Sequence, residues 1–74
     1  MIEPDYLIAL GKNIAKKRRE AGIIQAQLAL RCEMERQNLS RIETGKTNPT
    51  ILTLRLISVE LGLRVSDLLD FEQK

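Results

Sequence analysis

Five polar side chains crowd one short stretch of this chain: Arg36, Gln37, Asn38, Ser40 and Arg41. They offer the donor and acceptor patterns that pair with base edges, arginine with guanine and the amide of Gln or Asn with adenine. Leu39 and Ile42 stand among them at helical spacing, so the segment reads as a helix with one apolar side and one polar side. Arg36, Gln37 and Asn38 fall in its first turn, the part of a recognition helix that enters a major groove. A solvated helix face has the same composition. Asn38 in particular stands evenly between a contact and a solvated position.

Other chemistry finds less material. The chain has no histidine, so Ser40, Ser58 and Ser66 have no obvious activating base. One cysteine among scattered acids makes no metal set, and Cys32 suits a small core residue better than a redox switch. An enzyme is not expected, nor a cofactor, a metal or a small-molecule ligand. The two aromatics, Tyr6 and Phe71, are too few for base-stacking on RNA and read as helix-packing residues.

The polar face needs elements to hold it. Seventy-four residues allow one domain, and 43% hydrophobic content with two aromatics requires an aliphatic core. Apolar residues recur at helical spacing almost throughout, predicting an all-α, compact five-helix domain over 1–74, with helices at about 5–21, 25–32, 36–44, 50–61 and 66–71. Pro4 and Asp5 suit the start of the first helix and Gly22 its end. The inner stripe of that helix reads Leu7, Leu10, Ile14, Arg18, Ala21, with an arginine on the apolar side. Leu28, Ala29 and Cys32 face inward from the second helix. Ala29 permits a close crossing, and Leu28, Met34, Leu39 and Ile42 seal the angle to the third. Gly45 ends the third helix, Thr50 caps the fourth, Gly62 ends it, and Ser66 caps the fifth.

Charge is uneven. The net is only +2, but residues 1–50 carry nine Lys/Arg against six Asp/Glu, and residues 51–74 three against four. Lys12, Lys16, Lys17, Arg18 and Arg19 form a run free of acids. Lys12, Lys16 and Arg19 share one face, fit either to steer a polyanion or to keep the chain soluble. No apolar run approaches the ~20 residues of a membrane span, and nothing resembles a signal peptide, so the expected compartment is the cytoplasm with no membrane partner.

Taken in order, these residues resemble the lambdoid-repressor-like (Cro/repressor, XRE) helix-turn-helix family over about residues 7–71. The match runs through Gly11, Ile14, Arg18 and Gly22, then Gln25 with Leu28 and Ala29. Leu39-Ser40-Arg41-Ile42-Glu43, Gly45-Lys46 and Asn48-Pro49-Thr50 follow. Thr53-Leu54, Ile57, Leu61-Gly62 and Ser66-Asp67-Leu68-Leu69 complete it. The resemblance implies a DNA-binding transcriptional regulator, a repressor or controller, similar in size and layout to restriction–modification controller proteins and small phage repressors. It implies base contacts from Arg36, Gln37 and Arg41, and a phosphate contact from Gln25. Lys46, Thr47 and Asn48 would lie along the DNA backbone, and Arg18 and Glu43 would meet as a buried pair fixing the third helix to the first. The chain departs from the pattern in two places. Glu33 stands where the turn usually has glycine, so it adopts a left-handed conformation or the turn is built differently. Ile24 and Glu35 stand where Ser, Thr or Asp usually caps a helix. The alternative function is an antitoxin-type protein-interaction module that also binds DNA. Such proteins usually carry a longer tail than the three residues after Phe71.

The fourth helix carries more apolar surface than a core requires. Leu54, Ile57 and Leu61 make one stripe, and Leu52, Leu56, Val59 and Leu63 make a second, well around the helix. Either the fifth helix closes over that second stripe, or it is a two-fold interface of a homodimer on a near-palindromic operator.

Overall fold

The computed structural model describes residues 4–72, and among them it contains helices and no strand. The helices are α1 (Pro4–Glu20), α2 (Gln25–Arg31), α3 (Arg36–Glu43), α4 (Ile51–Glu60) and α5 (Val65–Leu68). All but α1 are too short to persist alone in water, so packing must hold them. Leu10, Ile14, Leu28, Ala29, Cys32, Leu39, Ile42, Leu54, Ile57 and Leu68 form the buried cluster that does so. Each fully buried Leu or Ile contributes roughly 1.5–3 kcal/mol. The α1 helix lies against α3 and α5, α2 against α3 and α4, and α4 against α5.

One device ends the first four helices. The residue two past the cap returns its N–H to the last turn: Ile23 to Arg18 O, Met34 to Ala29 O, Lys46 to Arg41 O, and Leu63 to Ser58 O. This closure needs a left-handed residue in between. Gly22, Gly45 and Gly62 fill that slot at φ of +71 to +75°, and Glu33 fills it after α2 at φ +55°. Of the two geometries open for Glu33, the left-handed one is adopted.

The same closure explains two corrections. Ala21, expected on the inner stripe, is exposed, because α1 stops at Glu20 and Ile23 turns inward to pack on the core instead. Leu63, expected on the outer stripe of α4, lies beyond the helix end and packs against the core. A third correction concerns α5, which starts at Val65 and stops at Leu68. Ser66 is not its cap. Arg64 occupies that position, and its N–H donates to the Asp67 carboxylate at 2.9 Å. Ile24 is served in the same way before α2, donating to Gln27 Oε1 at 3.0 Å. Thr50 does cap α4, its hydroxyl accepting from the Thr53 N–H at 3.1 Å.

Gly11 sets the distance between α1 and α3. A Cβ there would lie 2.6 Å from the Glu43 carbonyl oxygen. The two backbones touch, and any larger residue would push the third helix away. Tyr6 and Phe71 pair with ring centroids 5.1 Å apart, fastening the segment after α5 to the start of α1.

Candidate nucleic-acid interface

The α2–turn–α3 unit presents one polar surface. Leu39, Ile42 and Glu43 are the buried side of α3, which leaves Arg36, Gln37, Asn38 and Arg41 exposed on the other. Among the described residues no hydrogen bond engages the side chain of Gln37, Asn38 or Arg41, the Thr44 hydroxyl reaching only the Arg41 backbone carbonyl, so these side chains remain available to a ligand.

Arg36 is different, because it is held. Its Nε donates to Gln25 Oε1 at 3.2 Å, and Gln25 Nε2 donates to Glu43 Oε1 at 3.0 Å. Glu43 in turn accepts two bonds from Arg18, Nε to Oε2 at 2.8 Å and Nη2 to Oε1 at 3.2 Å. The third nitrogen of Arg18, Nη1, donates to Ile23 O at 2.9 Å. Arg18 and Glu43 are each 8% exposed, so their charges are out of water and depend on each other. A chain of polar contacts thus runs from α1 through the end of α3 to the start of α2, and ends on the first residue of α3. Sequence reasoning assigned Gln25 to phosphate and missed this bridging geometry. Nothing in the spacing of residues 25, 36 and 43 signals that one amide spans the other two.

A second set of expected residues meets in a groove of about 410 Å³. Asn38 and Arg41 line it from α3, Thr47 and Asn48 from the loop, and Thr50 and Thr53 from the cap and first turn of α4. Lys46 precedes them in the same loop and is exposed. The loop is anchored where Gly45 crosses α1, since a Cβ there would meet the Ile8 backbone at 2.7 Å. Thr50 and Thr53 were not singled out for this surface, because Thr50 read as a cap and Thr53 only as part of the family pattern.

The rest of the surface divides clearly. Lys12, Lys16 and Arg19 are exposed on α1, and Lys12 and Lys16 flank a second groove shared with Asp70 and Glu72. That acidic company makes the site a poor one for a polyanion. Cys32 is buried, and that burial, with a smaller effect from the Glu60 carboxylate, raises its thiol pKa above the ordinary value. Leu52, Leu56 and Val59 are 72%, 50% and 58% exposed on α4, and Leu69 beside α5 is partly exposed with them. Among the described residues no helix is long and apolar enough to cross a membrane.

Comparison with known proteins gives this geometry a family. A helix-turn-helix family profile matches residues 14–68. An HTH-type transcriptional regulator of Sinorhizobium fredii, y4dJ, is 39% identical over 54 residues, covering 73% of this chain and 70% of its own. The control protein C.MunI of a Mycoplasma species is 34% identical over 65 residues, 86% of this chain and 88% of its own. Among solved structures, the biofilm master regulator SinR in complex with DNA superposes with a TM-score of 0.76 at 35% identity, over 82% of this chain and 98% of that one. The chain belongs to the helix-turn-helix family, in its XRE-type group of DNA-binding transcriptional regulators.

Proposed function

We propose that this protein binds duplex DNA sequence-specifically, as a homodimer on a near-palindromic operator, and so represses or controls transcription. In this reading Arg36, Gln37, Asn38 and Arg41 contact base edges, while Gln25, Lys46, Thr47 and Asn48 contact phosphates. The observation that carries it is the exposed polar face of α3, continuous with the groove that joins Asn38 and Arg41 to Thr47 and Asn48. Side chains that read bases and a loop that could follow the backbone thus share one surface. A binding role without catalysis is supported by the lack of histidine and by the burial of Cys32, which raises its thiol pKa. The cytoplasm is the compartment such a regulator occupies.

The dimer is supported by α4. Leu52, Leu56 and Val59 stay exposed after α5 has packed, and monomers rarely leave so connected an apolar stripe in water. A two-fold axis through it would set two copies of α3 about 34 Å apart, one turn of DNA.

The experiment is a binding titration on an operator duplex across salt, with sedimentation of the free protein and of Leu56→Glu. Affinity should fall steeply with salt, because phosphate contacts release counterions. Wild type should sediment as a dimer and Leu56→Glu as a folded monomer. Salt-independent binding, or a monomeric wild type even with the duplex present, would contradict the reading.

A further inference from the structure

We propose that Asn13 is a positioning residue for DNA binding, fixing the dimer surface of α4 and α5 relative to the recognition helix α3. The proposal rests on the homodimer reading above.

Asn13 is buried at 8% exposure on α1. Its side-chain nitrogen donates to Asp67 O at 3.1 Å and to Leu68 O at 2.8 Å, 54 and 55 residues away. Both hydrogens of one amide are therefore spent on the last carbonyls of α5. A four-residue helix cannot hold its own shape, and those carbonyls have no partner within it. Its other end is closed locally, by the Asp67 carboxylate on the Arg64 N–H. At the far end the Leu69 N–H reaches back to Val65 O, and the Asp67 and Leu68 carbonyls are taken from α1 by Asn13.

The placement of this clamp gives it a function. The α4 and α5 helices pack on each other, and they join the unit of α1, α2 and α3 mainly along two seams, α2 against α4 and α1 against α5. The first seam draws on the apolar core, to which α2 gives Leu28 and Ala29 and α4 gives Leu54 and Ile57. Apolar contacts tolerate small slips, whereas two directed hydrogen bonds do not. Asn13 is thus the directional link between the unit that carries Arg36 and Arg41 and the unit that carries Leu52, Leu56, Val59 and Leu69. Two recognition helices can sit one DNA turn apart only if that relation is fixed.

The test compares wild type, Asn13→Ala, Asn13→Asp and Leu56→Glu. Asp keeps the shape of Asn but offers no donor when ionised. Each protein is followed by sedimentation, by thermal unfolding, and by selection from duplexes holding two half-sites at varied spacing. Both Asn13 variants should fold, keep the wild-type half-site sequence, dimerise about tenfold more weakly, and accept several half-site spacings where wild type accepts one. A structural role alone would lower stability without broadening the spacing. Asn13 variants that dimerise and select like wild type, while Leu56→Glu is monomeric, would overturn the proposal and leave the dimer standing. Loss of folding in both Asn13 variants would also overturn it, by assigning the residue to the stability of the whole domain. A monomeric wild type would overturn the dimer reading itself, and this inference with it.

Discussion

Gln25 Oε1 accepts a hydrogen bond from Arg36 Nε at 3.2 Å, so the first residue of α2 holds the first residue of α3. An arginine at a helix start has many rotamers, and ordering one on binding costs free energy. Gln25 reduces that cost, because its other end is anchored on the buried Glu43. Two substitutions separate the roles. Arg36→Ala should lose roughly 1–3 kcal/mol at the preferred site and relax one base pair. Gln25→Ala should weaken all sequences, if the proposed phosphate contact is made, and also blunt the preference at the base pair proposed for Arg36. Competition titrations with single-base-pair operator variants measure both effects.

The Arg18–Glu43 pair predicts a large asymmetry between single and double changes. Removing either partner leaves a charge in a site 8% exposed, which should cost about 3–5 kcal/mol. Arg18→Met combined with Glu43→Leu should be far less harmful than the two single costs added. Denaturant unfolding of the four proteins gives the coupling directly. An additive cycle would show that the two charges do not depend on each other.

Glu33 and Gly22 occupy the same slot in two copies of one helix ending. A left-handed conformation costs a non-glycine residue about 1–2 kcal/mol. Glu33→Gly should therefore stabilise the domain by about 1 kcal/mol, raising Tm by roughly 4–8 °C. Gly22→Ala should cost a similar amount through φ alone, since nothing lies within 4 Å of the new methyl. Gly11→Ala has a different cause: its methyl meets the Glu43 carbonyl, and overpacking of that kind costs about 1–3 kcal/mol. It should also weaken DNA binding, because α3 itself must shift. Thermal unfolding and operator titration together distinguish the two glycines.

The helix layout was legible because the signals are local. Glycine at 22, 45 and 62, Thr50 before an apolar run, and Leu39 with Ile42 each speak for their own segment. The errors arose where the chain leaves a helix or enters one by an unusual route. Ala21 and Leu63 continue the helical period in sequence, but the reversing hydrogen bonds have already turned the backbone. Ser66 has the residue type of a cap, yet Asp67 does the capping from inside the helix. At the interface, the residue types of α3 announced a polar face. The contact of Gln25 with both Arg36 and Glu43 was not legible, because it depends on the crossing of α2 and α3 rather than on either helix. Asn13 was silent for the same reason, since its partners are two backbone carbonyls more than fifty residues away.

Cys32 should be inert in the native protein. Burial and the Glu60 carboxylate raise its pKa, so little thiolate exists at neutral pH to attack an alkylating reagent. Iodoacetamide labelling followed by mass spectrometry should show slow modification of native protein and rapid modification in denaturant. Fast native labelling would mean that the buried cluster around Cys32 opens readily.

The most direct test of sequence-specific binding through α3 is selection from a pool of random duplexes, run with wild type and with Arg41→Ala. Wild type should enrich a near-palindromic motif whose half-sites are about one DNA turn apart. Arg41→Ala should enrich the same motif with preference relaxed at one position in each half. A wild-type protein that retains duplexes without enriching any motif would contradict base reading by Arg36, Gln37, Asn38 and Arg41, and reduce the protein to a non-specific binder of DNA.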